Sequence, residues 1–111
     1  MALFRIGLVA MLAILFVYTL FVGMAHGWNL IPPFFAEILA MTWQGQFNLD
    51  FAGFLLLSAT WTLWRNHFSL PGMVLAVLAA TGGILFLATY LLYLSFTTQG
   101  DIKRILLGDN R

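Results

Sequence analysis

The chain has 111 residues, 62% hydrophobic and 8% charged, with a mean hydropathy of +0.96. Five Lys/Arg and four Asp/Glu leave a formal net charge of +1, too few charges to cover a soluble globule, in which about a quarter of residues carry one. That balance gives no basic footprint for nucleic acid, and the lack of cysteine excludes disulfides, thiolate metal sites and cysteine catalysis.

The charges fall at segment ends, with none from Ile6 to Ala36 or from Gly72 to Gly100. This pattern predicts an all-α integral membrane protein, a single transmembrane domain over 1–111. The first apolar block, 6–25, follows Arg5 and spans about 30 Å as a helix, the thickness of a hydrocarbon core. A cleaved signal peptide is the rival, with Gly23-Met24-Ala25 as its small-residue site. Signal cores run about 7–15 residues, so an uncleaved anchor is the better reading.

Gly27, Trp28 and Asn29 break the block, and Pro32-Pro33 suits the first turn of a new helix. A helix over about 33–43 is only about 16 Å long, too short to span. Glu37 lies inside it, and Trp28 and Trp43 bracket it as aromatic residues do at headgroup level. It is expected to be interfacial or re-entrant; a fourth crossing would bury Glu37 at high cost. Asn48 is a good N-cap for the next helix, which would put Asp50 in its first turn. That helix, 47–64, is expected to end at Trp61, Trp64 and Arg65. Pro71 then opens a third span over 72–96, long enough that it should tilt. Gly100 and Asp101 recap a short amphipathic tail over 101–107. The expected fold is therefore three transmembrane helices plus one short interfacial or re-entrant helix between the first and second.

Three spans put Arg5 and Arg65 on one side and Lys103, Arg104 and Arg111 on the other, nearly a tie for the positive-inside rule. Arg5 precedes the first helix, which favours N-in and C-out. Four spans would put all the basic ends together and satisfy the rule better.

The motifs Phe47-Asn48-Leu49-Asp50-Phe51, Trp61-Thr62-Leu63-Trp64-Arg65, Thr81-Gly82-Gly83 and Thr89-Tyr90-Leu91-Leu92-Tyr93, with the closing Gly100-Asp101 and Ile105-Leu106-Leu107-Gly108, resemble families of small predicted multi-pass membrane proteins of unknown function. These occur in bacteria, with related plant members. The resemblance covers roughly the last two thirds of the chain. It implies the multi-pass architecture, marks Asn48, Asp50 and Gly83 as positions of interest, and carries no chemistry with it.

His26 and His67 follow successive helices and so should lie on opposite faces, which argues against one haem held by both. No cofactor is expected. His26, Glu37, Asp50 and Asp101 share a face in the three-span arrangement. Imidazole with carboxylates could bind a cation or relay a proton, but the spacing matches no metal motif. Solvation at an interface, with Lys103 or Arg104 neutralising a carboxylate, is the simpler account. Ala76, Ala79, Ala80 and Gly83 form small-xxx-small pairs that let another helix approach closely. They serve either a homo-oligomer or partner interface or packing within the chain. Ser58 and Thr62 are expected to bond their own backbone. No Ser-His-Asp set, phosphate loop or zinc motif occurs.

The expected function is a small non-enzymatic accessory or interaction subunit of a membrane complex, in the bacterial inner membrane, with lipid and a membrane protein or second copy as partners. The alternative is an ion- or small-ligand-handling membrane protein using Asp50, Glu37, His26 and Asn48. A membrane enzyme comes third.

Overall fold

The computed structural model describes residues 1–108. It is all-helical, with no strand among the described residues: α1 (Ala2–His26), α2 (Ile31–Leu39), α3 (Trp43–Arg65), α4 (Leu70–Thr97) and α5 (Ile102–Leu107). By length and composition α1 and α4 could each cross a membrane. Both are largely exposed within the molecule, with only 11% of the most apolar stretch of each buried. Side chains such as Ile14, Phe16 and Phe21 therefore face outward along α1.

The helix starts follow local capping. Pro32 and Pro33 sit in the first turn of α2, where a missing N–H costs nothing. The cap of α3 is Thr42, whose hydroxyl accepts from the Gly45 N–H at 3.0 Å. That corrects the expected Asn48 cap. Asn48 and Asp50 lie inside α3, beyond its first turn, because the turn at Met41 (φ 57°) frees the chain to restart at Trp43. The short helix correspondingly ends at Leu39 and not at Trp43. Gly45 is buried where α3 crosses α2: a Cβ there would overlap the Glu37 carbonyl and come within 2.9 Å of the Ile38 Cα. The absent side chain is what lets the two backbones touch.

The third expected span is continuous in sequence but broken in space. Gly83 has φ 56° and ψ −136°, a non-helical conformation inside α4 that is essentially confined to glycine. It separates an arm over 70–82 from an arm over 84–97. In an unbroken helix Leu75 and Leu94 would be about 28 Å apart, yet both pack on one cluster with Tyr90 and Ile105. Tyr90 also meets Trp61 edge-to-face at 5.9 Å, and its hydroxyl accepts from Asn66 Nδ2 at 2.9 Å. The chain therefore turns back at Gly83, and each arm is about 20 Å long.

This reversal makes α4 the centre of the molecule, in contact with α3, α1 and α5, while α2 packs on α3. It also corrects the placement of the carboxyl-terminal helix. Arg5 reaches Ser95, and Arg65 reaches the backbone of α5. Arg5, Arg65, Lys103 and Arg104, the Lys/Arg among the described residues, therefore share one end. Arg111 lies outside the described residues.

Candidate functional site

The basic end is built from two arginines used in different ways. Arg5, on the first turns of α1, donates from Nε to Ser95 Oγ (3.0 Å) and from Nη2 to the Ser95 carbonyl (2.7 Å). Its guanidinium lies 4.1 Å from the Phe96 ring centroid, a cation–π contact. Ser95 is fully buried and passes its own hydrogen to the Leu92 carbonyl. Arg65, at the end of α3, donates to the carbonyls of Ile105 (2.6 Å) and Arg104 (2.9 Å) and to the Tyr90 hydroxyl (3.4 Å). Trp61 Nε1 donates to the Leu106 carbonyl at 2.9 Å. Three carbonyls at the carboxyl end of α5 are thus satisfied from α3, where a helix leaves its acceptors open and its dipole favours a cation. Lys103 and Arg104 side chains stay exposed on the same end.

Beside this end, the two arms of α4 border an open apolar groove of about 650 Å³. Leu75, Leu78 and Gly82 line it from the first arm, and Leu85, Phe86 and Tyr90 from the second. Thr81 and Thr89 also face it, but their hydroxyls donate back to Val77 and Leu85 carbonyls at 2.9 and 2.6 Å. The wall is therefore mostly apolar, with the exposed Tyr93 also on it. A second cavity of about 290 Å³ lies on the other side of Gly83, against Phe51, Leu55 and Ser58. Ser58 corrects an expectation: its buried Oγ has no hydrogen-bond partner among the described residues, whereas Thr62 does bond the Ser58 carbonyl at 2.8 Å.

The acidic candidates sit at the opposite end. Glu37 Oε2 accepts from the Thr42 hydroxyl at 2.6 Å, tying the end of α2 to the cap of α3. Asn48 Nδ2 donates to the Phe34 carbonyl at 3.1 Å, and its Oδ1 accepts from Gln44. Both residues thus join α2 to α3. The side chains of His26 and Asp50 are exposed and form no hydrogen bond among the described residues. Asp101 does not join them: it lies at the basic end, where its carboxylate caps α5 through the Lys103 N–H at 3.1 Å. No three His, Asp or Glu among the described residues come together to hold a metal ion. With no partner to lose, Asp50→Asn should change stability by less than about 0.5 kcal/mol. Thermal unfolding in detergent, with and without a divalent cation, checks this. A loss above about 1 kcal/mol, or a cation-dependent gain confined to the parent, would give Asp50 a binding role.

Of the expected packing residues, Ala79 is completely buried within the chain, and Ala76, Ala80 and Gly83 are half-buried. Packing inside the chain therefore accounts for Ala79. Gly83 faces Phe51 and Leu55 of α3. The composition gave no signal for the arginine clamps, because a basic residue at a helix end also marks a membrane interface. Compared with known proteins, the chain matches no family model, no curated protein and no solved structure.

Proposed function

We propose that this chain is a small integral membrane protein in which α1 and α3 cross the bilayer and α4 enters as a re-entrant hairpin, serving as a binding or accessory subunit. The observation that carries this reading is the charge arrangement around an exposed apolar body. The described Lys/Arg gather at one end, while Glu37 and Asp50 lie at the other. The rule that basic loops stay inside then points one way, with the basic end cytoplasmic and α5 on the same side as Arg5. Helix α3 is about 33 Å from Trp43 to Arg65, enough to cross. The arms of α4 are too short to cross singly, and irregular backbone at depth is tolerated where it is packed on protein; Phe51 and Leu55 pack against the half-buried Gly83. A bacterial inner membrane suits a chain of this charge pattern.

Two measurements test the reading. The protein should stay in the membrane pellet on carbonate extraction; release into the supernatant would end the membrane assignment. Single cysteines at Leu70 and Lys103, in a chain without native cysteine, should label with an impermeant maleimide from the same side. Labelling from opposite sides would restore a straight third crossing. A stoichiometric protein retained in mild detergent supports an accessory subunit.

A further inference from the structure

With α3 crossing the bilayer, its length sets the depth of the basic end. A rise of about 33 Å from Trp43 to Arg65 puts these two residues at opposite headgroup layers. Arg65 and Trp61 donate to the carbonyls of Arg104, Ile105 and Leu106, so α5 is held at the depth of the Arg65 end. The surface of α1 stays apolar as far as Leu3 and Phe4, which are exposed beside Arg5. Lipid therefore adjoins this end, and the anions nearest to it are headgroup phosphates.

The outward surface of α5 suits that layer. Ile105 turns inward at 3% exposed, while Ile102 and Leu106 are 63% and 49% exposed and, four residues apart, share one side of the helix. Lys103 and Arg104 continue round the exposed surface. Their side chains form no hydrogen bond or ion pair among the described residues. Alkyl groups on one flank and cations on the next are the pattern of a helix that rests at a membrane surface. Charge then selects the lipid. Arg5 and Arg65 add positive charge close by while engaged with Ser95 and α5. Against these four cations stands Asp101, the acid among the described residues at this end, whose carboxylate caps α5. We propose that α5 docks on anionic phospholipid headgroups, with Lys103 and Arg104 meeting phosphate and Ile102 and Leu106 entering the acyl boundary. The proposal rests on the membrane reading above and names the lipid class that its basic end takes.

The test is native mass spectrometry of the full chain extracted in mild detergent and titrated with phosphatidylglycerol or phosphatidylcholine. Phosphatidylglycerol should be retained in preference to phosphatidylcholine by about fivefold to thirtyfold, the range conferred by one or two basic side chains near an anionic surface. Lys103→Gln/Arg104→Gln should bring that preference close to one, while Lys103→Arg/Arg104→Lys, which keeps both charges, should preserve it. Circular dichroism confirms that each variant keeps its helix content. The apolar flank is read separately, by a bimane on Leu106→Cys in the otherwise cysteine-free chain. In nanodiscs containing phosphatidylglycerol, lipids with a nitroxide high on the acyl chain should quench it. Equal retention of the two lipids, an undiminished preference in the glutamine variant, or its loss in the charge-swapped one would overturn the proposal. So would a bimane quenched only from the aqueous phase, or a crosslinker at Leu106→Cys that captures a second copy or another protein. A carbonate-resistant protein without lipid preference fails this inference alone, whereas a carbonate-released protein fails the membrane reading itself.

Discussion

Gly83→Ala should undo the turn that folds α4 back on itself. At φ 56° and ψ −136° an alanine is strained by about 1–3 kcal/mol. The added Cβ would also lie 2.9 Å from Phe51 Cζ, closer than ordinary contact allows. Alanine also favours the helix that glycine interrupts, so the strain is relieved by straightening α4. Straightening pulls Tyr90 away from Asn66, Arg5 away from Ser95, and α5 away from Arg65. The expected result is a fall in the unfolding free energy beyond the backbone strain alone, with faster amide exchange in α5. Gly53→Ala provides the comparison: nothing lies within 4 Å of a Cβ there, and the helical site should gain about 0.5–1 kcal/mol. If both variants shift stability equally, the turn at Gly83 is not what holds the two arms together.

The same residue shows how far the sequence could be read. Helix content, the end positions of the charges and the α1 block follow from composition and length, and the structure agrees on each. Thr81-Gly82-Gly83 sits in a long apolar run, where an isolated glycine is tolerated and small residues suit helix packing. Positive φ leaves no mark in composition. The reversal becomes evident only through partners distant in sequence, such as Asn66 with Tyr90, and this one turn brings α5 back to the end of the molecule that holds Arg5. The Asn48 cap failed for a related reason. Asn and Thr both cap well, and the choice between them was made by the turn at Met41 and by the hydroxyl contact between Thr42 and Glu37. Of the candidate polar residues, Glu37 and Asn48 proved to join α2 to α3, a role that depends on which backbones come close.

Arg65 is the second position where a large effect is expected. Helix α5 has six residues, well below the length at which a helix persists alone in water. It is held by Ile105, which is 3% exposed, and by donors from α3 to its last carbonyls. A hydrogen bond to a charged group contributes about 1.5–3 kcal/mol. Arg65→Ala removes two such bonds to α5 and the contact to Tyr90, so the loss should be about 3 kcal/mol, with α5 released first. Trypsin should then cut at Lys103 and Arg104 at least tenfold faster while the remainder of the chain stays protected. Arg65→Lys separates two roles for this residue. A lysine keeps the charge for an anionic interface, but a single ammonium cannot serve two successive carbonyls and a tyrosine hydroxyl with the fixed fork of a guanidinium. If Arg65 only marks the membrane surface, the lysine variant should be protected like the parent. If it clamps α5, protection should return only in part, and membrane retention should be the same in all three proteins.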